Sequence, residues 1–299
     1  MPLWNNIFFV FLQSSINRLT IMARRRKKRF FSFVLFVAIG TYLAFTAYED
    51  KSKSDLRASD SPTQATQYHS LELPQITNPA VKQQIVAHTG YTVSFNPQWN
   101  IPNWVAYDLT AEETAGVSPR AKHFEPDPDI RNSPTTDDYK NSGFDRGHMA
   151  PAGDMKWDEQ AMRESFYMSN ICPQNHNLNN GDWKILEEHV RTLAARYDKI
   201  YIACGPLLSG NPQTIGTTRK IAVPDAFFKV LLCCKNNTWH AIGFIFSNQA
   251  GHKKLSTYCM TIDQVEELSG IDFFHNLQDD IESEVEATFN LKEWGINIL

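Results

Sequence analysis

Six consecutive basic residues, Arg24 to Arg29, run directly into Phe30–Tyr48, a mostly apolar stretch without a single charged side chain. Nineteen residues of helix rise about 28 Å, close to the thickness of a bilayer's hydrocarbon core. Positive charge ahead of one such segment holds the N-terminus in the cytoplasm and sends the downstream chain across the membrane. The pair therefore predicts residues 1–29 as a basic N-terminal segment and 30–48 as a transmembrane signal anchor or a signal-peptide core. The downstream chain would be membrane-anchored or exported, in a periplasm or on a cell surface. Ala44, Thr46 and Ala47 offer small residues but no clean A-x-A cleavage site, which favours the anchor. Met22 directly precedes the basic run, so residues 1–21 can be an untranslated upstream extension. A basic leader also suits mitochondrial targeting, the lesser alternative.

Residues 49–74 are rich in Ser, Thr, Gln, Asp and Lys and read as a flexible linker. From 75 to 299 no repeat and no second linker interrupts the chain, which predicts one domain. Seven of the 29 basic residues and none of the 33 acidic ones lie in residues 1–48, leaving 22 against 33 and a net charge of −11 for residues 49–299. That balance argues against a protein that coats nucleic acid, because non-specific affinity for phosphate comes largely from Lys and Arg. All five cysteines (Cys172, Cys204, Cys233, Cys234, Cys259) fall in the domain without a C-x-x-C pair, so neither a zinc knuckle nor a redox motif is expected.

β-Branched and aromatic content predicts strands at Tyr91–Phe95, Trp104–Leu109, Lys199–Cys204, Phe227–Cys234 and Trp239–Phe246. Trp183, Leu186, Val190 and Leu193 recur at helical spacing and predict a helix over 182–197; a second helix is predicted over 261–268, stopped by Gly270. Strands and helices do not alternate strictly. The expected class is α+β, built on a largely antiparallel sheet flanked by helices.

Two polar clusters carry the chemistry. The first is Asp145-Arg146-Gly147-His148, an imidazole beside a guanidinium: His serves as a general base near neutral pH, and Arg binds phosphate through its planar fork. The second runs from Ser169 to Trp183 and is rich in amides and poor in acids. Asn179, Trp183 and Glu187 would fall near one face of a continuing helix, where an amide oxygen and a carboxylate can hold a hydrated Mg²⁺. Taken singly, Asn179 reads as a helix cap and Glu187 as a surface carboxylate. Asp127-Pro128-Asp129 reads as a Pro-kinked surface turn, His176 as part of a surface loop, and His88 and His189 are given no role.

The joined pattern resembles the DNA/RNA non-specific endonucleases, a family that includes secreted bacterial nucleases and mitochondrial endonuclease G. Asp145-Arg146-Gly147-His148 matches the family's D-R-G-H, and Asn170, Pro173-Gln174, Asn179, Trp183 and Glu187 match the downstream pattern. Weaker agreement extends over about residues 85–275, through Arg120, Gly205-Pro206, Phe228-Lys229-Val230 and Gly270-Ile271-Asp272-Phe273-Phe274. The resemblance implies a His-Me finger (ββα-metal) fold and Mg²⁺-dependent endonuclease activity on DNA and RNA, with 5′-phosphate products. Mn²⁺ is a candidate substitute, and a homodimer is compatible. It implies His148 as general base, Arg146 and, less securely, Arg120 on the phosphate, and Asn170 ordering the site. Asn179 would be the direct metal ligand, with Glu187 binding through water. Asp145 is expected to fix Arg146 or its loop. The rival readings are a nuclease restricted to RNA or small nucleotides, and a catalytically silent nucleic-acid- or inhibitor-binding module on the same scaffold.

Overall fold

The computed structural model describes residues 70–249 and 251–297; the basic run, the predicted membrane segment and most of the predicted linker lie outside them. Among the described residues no helix is long and apolar enough to cross a membrane. The strands are β1 (Gln75–Ile76), β2 (Gln84–Ala87), β3 (Thr92–Asn96), β4 (Ile101–Thr110), β5 (Asp145–His148), β6 (Ile171–Gln174), β7 (Lys199–Leu207), β8 (Thr214–Ile215), β9 (Ile221–Ala222), β10 (Ala226–Lys235), β11 (Thr238–Ser247), β12 (Cys259–Met260) and β13 (Ile271–Asp272). The α-helices are α1 (Ala111–Thr114), α2 (Glu159–Glu164), α3 (His176–Asn179), α4 (Asp182–Tyr197), α5 (Ile262–Ser269) and α6 (Asp279–Ala287).

A seven-stranded sheet in the order β12-β11-β10-β7-β4-β3-β2, antiparallel at every pairing, forms the centre. Its long strands are apolar almost throughout because both faces are covered, so they carry little of the alternation of a half-exposed strand. β10 and β11 turn on Asn236-Asn237, both at positive φ (50° and 62°), a conformation asparagine tolerates and a tight hairpin needs.

Along β10, Phe227, Leu231 and Cys233 enter one core cluster, and Phe228, Val230 and Leu232 the other. The first cluster packs the sheet against α4 through Trp183, Leu186, Val190 and Leu193. Burying each of these large side chains contributes about 1.5–3 kcal/mol. The second packs the opposite face against α5 and α6 through Ile262, Val265 and Val285.

The five expected strands are present within a few residues, and the helix expected over 182–197 has those bounds. α5 is capped by Thr261, whose hydroxyl accepts from the Gln264 N–H, and ends at Gly270 in the left-handed region (φ 67°). Leu71 is fully buried in the second cluster and β1 pairs with β13, so packed structure begins before residue 75; Leu71 and Leu73 are the apolar residues that the polar surroundings hid.

Candidate active site

β5 and β6 form a hairpin on the α4 side of the sheet, pairing Asp145 with Gln174, Arg146 with Pro173, Gly147 with Cys172 and His148 with Ile171. α3 and α4 come next in the chain, completing a ββα unit. Gly147 is required by close packing: a Cβ there would stand 2.1 Å from Oε1 of Gln174, which is itself fully buried. The hairpin is tied to α4 by the Trp183 indole, whose Nε1 donates to the His148 carbonyl oxygen (3.3 Å).

The His148 imidazole lies between two phenyl rings. Its centroid is 5.3 Å from that of Phe124 and 4.8 Å, edge-on, from that of Phe166. Each ring carries a guanidinium: Arg146 lies 4.7 Å over Phe124 and Arg120 lies 4.9 Å over Phe166. Burial, followed by the charges of Arg120 and Arg146, pushes the His148 pKa down to about 3, so the ring is neutral at physiological pH. Its Nε2 is buried and has no hydrogen-bond partner among the described residues. Arg120, the least secure match in the sequence, therefore reaches the same imidazole as Arg146.

Asn179 ends α3 and lines a cleft of about 420 Å³ with Asp145, Arg146, Phe124, Tyr139, Lys140 and Phe144. Its Nδ2 donates to Oδ2 of Asp145 (2.9 Å), the atom that also faces Nδ1 of His176 (3.0 Å). Asp145 thus fixes Asn179 and not Arg146, which instead stacks on Phe124. The helix does not continue from Asn179 into α4. Gly181, at φ −110° and ψ −112°, interrupts it, and a Cβ there would meet the Asn177 carbonyl at 2.3 Å. Asn179 is accordingly neither on α4 nor its cap.

Glu187 sits half-buried on α4 among charges whose presence the sequence did not disclose. Burial raises its pKa to about 7; Lys229 lowers it, Asp154 raises it, and Arg191 with the Trp183 N–H lowers it. Lys229 is fully buried on β10, its Nζ 4.8 Å over the Trp183 ring and without a hydrogen bond among the described residues. Arg191 pairs with Asp154 (2.7 Å), which also accepts from the Tyr107 hydroxyl (2.8 Å). A lone lysine in an apolar strand and an arginine one turn beyond Glu187 were the available signals. The donors offered to a cation are an amide oxygen and a carboxylate, a hard set that suits Mg²⁺ or Mn²⁺.

Asn170 is fully buried and spends its amide on the backbone: Oδ1 accepts from the Ala150 N–H, and Nδ2 donates to the Ala150 and Ser165 carbonyls, each at 2.8 Å. It pins the segment after His148. Asp127-Pro128-Asp129 does form a turn, with Pro128 and Asp129 exposed and the Ile130 N–H donating to the Asp127 carbonyl (3.3 Å), but the Asp127 side chain does not share that exposure. It is buried, faces Nε2 of His88 (3.0 Å) and accepts from the Ser169 hydroxyl (2.5 Å), so an acid–imidazole pair anchors the 3-10 turn Met168–Asn170 that leads into β6. His189 meets the Trp294 carbonyl (2.7 Å). The five cysteines are free, with Cys172, Cys204 and Cys233 buried.

The family model described as DNA/RNA non-specific endonuclease matches residues 69–280. Human mitochondrial nuclease EXOG is 34% identical over 226 residues, covering 69% of this chain and 61% of its own length. Nuclease C1 of Cunninghamella echinulata var. echinulata is 33% identical over 220 residues, covering 68% of this chain and 87% of its own. Human mitochondrial endonuclease G is 29% identical over 209 residues, covering 65% and 70%. This chain spans about three fifths of the length of the mitochondrial EXOG relatives, 59% in Xenopus laevis and 61% in human. A solved EndoG/EndoGI complex, concerned with EndoG inhibition, superposes with a TM-score of 0.65 at 29% identity, covering 73% of this chain and 94% of that one.

Proposed function

The chain belongs to the DNA/RNA non-specific endonuclease family, and we propose that it is a divalent-metal-dependent endonuclease hydrolysing phosphodiester bonds of DNA and RNA with little sequence preference. One observation carries this reading. A neutral imidazole flanked by two guanidinium groups stands beside a cleft lined by an asparagine whose amide is held by a carboxylate.

Each group has a part in phosphodiester hydrolysis. Arg146 and Arg120 would hold the scissile phosphate, and that anion offsets the two charges that depress the His148 pKa. Proton affinity at the imidazole thus rises when substrate is bound, as a general base requires. His148 takes the proton of the attacking water. Asn170 keeps the backbone after His148 in place, and Trp183 holds the His148 carbonyl. Mg²⁺, with Mn²⁺ as substitute, would sit on the Asn179 amide oxygen with Glu187 holding one of its waters. When bound it supplies positive charge for the phosphate and the departing oxygen. Breaking the P–O3′ bond leaves a 5′-phosphate on one strand end, and the 3′ oxygen that departs from phosphorus takes up a proton to become the 3′-hydroxyl of the other.

Incubating the purified protein with supercoiled plasmid, single-stranded DNA and RNA, with Mg²⁺ or with chelator, tests the reading. Cleavage of all three only with metal is expected. No cleavage under any divalent ion would sustain the silent-module alternative, and cleavage of RNA alone the narrower one. For location, the relatives named mitochondrial support the targeting reading of the basic leader over export; fractionation of cells expressing the full chain separates the two.

A further inference from the structure

The opposite face of the sheet carries a concentration of carboxylates that the nuclease reading does not use. Asp263 and Glu266 lie on α5 and Glu286 on α6, and one carboxylate oxygen from each lies within 4.8 Å of the others. Burial first, and then neighbouring acids that include Asp272 and Glu282, push up the pKa of both glutamates. Among the described residues none of these acids forms an ion pair. The independent observation is Glu286. It is 6% exposed, and its Oε1 is buried with no hydrogen-bond partner among the described residues. A carboxylate oxygen left so costs free energy unless something positive meets it. Glu266 is anchored from behind, because its Oε1 accepts from the Phe273 N–H (2.8 Å).

We propose that Asp263, Glu266 and Glu286 bind a calcium ion that clamps α5 to α6 on the side of the sheet away from the candidate active site. The donors are all hard oxygens, the set calcium takes. Three protein carboxylates converging on one point suit Ca²⁺, which takes six to eight oxygen ligands in flexible geometry, better than Mg²⁺, which keeps most of its waters and is held by one or two carboxylates. Neutralising the cluster removes repulsion between two helices that cover one core, so calcium stabilises the fold by mass action.

The test is calcium titration of the whole protein by calorimetry, with melting followed in parallel. One site on α5 and α6 with a Kd on the order of 10⁻⁴ M is expected, toward the weak end of protein calcium sites, together with a calcium-dependent rise in Tm. Glu286→Gln and the exposed Asp263→Asn should each weaken binding at least tenfold and abolish the rise in Tm, while their Mg²⁺-dependent plasmid cleavage stays at the parent rate. Asn179→Ala should keep the calcium site, which separates this ion from any at the candidate active site. The absence of binding at about ten times the expected Kd, an unchanged affinity in Glu286→Gln, or equal affinity for Mg²⁺ would each overturn the proposal. The first outcome would mean that the glutamates share a proton instead.

Discussion

Oδ2 of Asp145 accepts a hydrogen bond from Nδ2 of Asn179 at 2.9 Å, and that contact decides which end of the amide serves a cation. A carboxylate can only accept, so it turns the NH₂ toward itself and leaves the amide oxygen for the metal. Asp145→Ala should therefore weaken apparent Mg²⁺ affinity by about 10–100-fold, the usual cost of losing a partner that orients a metal ligand. Cleavage at saturating metal should largely recover. A metal titration of plasmid nicking checks this; a fall in rate that no amount of metal restores would place Asp145 in the chemistry instead.

Asn170 and Asn179 should respond differently to loss of the amide. Asn170→Ala strands three buried backbone groups, at Ala150 and Ser165. It should cost on the order of 3 kcal/mol and lower Tm by roughly 6–12 °C, with activity falling alongside. Asn179→Ala should abolish metal-dependent cleavage at nearly the parent Tm. Equal Tm for the two variants would contradict the positioning role of Asn170.

The pH profile should track Glu187 rather than His148. His148, pushed down to about 3, is neutral over the working range, whereas Glu187, raised to about 7 mainly by burial, is largely protonated below neutrality in the free protein. A cation needs the carboxylate, so metal affinity should fall as pH drops through 7. Raising Mg²⁺ should move the acid limb of kcat/KM to lower pH. A limb that stays put across metal concentrations would tie it to another group.

Substrate binding should depend on few phosphate contacts. The acidic net charge of residues 49–299 leaves Arg120 and Arg146 as the cations gathered around His148. The one scissile phosphate that these two residues would hold corresponds to a slope of about −1 for log K against log salt on duplex DNA. A slope several times steeper would reveal a basic surface beyond these two residues.

How much of this was legible in the sequence varies by element. The α4 helix was readable from its apolar spacing because one face alone is buried, and α5 from its cap and stop. β5 and β6 are four residues each, too short for a pattern, and only the D-R-G-H resemblance pointed to them. Phe124 and Phe166, which bracket His148, come from outside any long element, and no local signal ties an aromatic ring to a histidine 24 residues away in one case and 18 in the other. Asp127 read as a surface turn because Pro128 kinks the chain there; its burial comes from His88 and Ser169, partners distant in sequence. The polar residues around Leu71 likewise hid where packing begins.

The central claim is that His148 supplies the base and Asn179 the metal ligand of one site. Single-turnover cleavage of supercoiled plasmid by His148→Ala, with Mg²⁺ binding measured on the same sample, tests it most directly. The account predicts a rate loss of about 10²–10⁴-fold with metal affinity unchanged, beside an Asn179→Ala control that loses the metal. Cleavage by His148→Ala at the parent rate would contradict it.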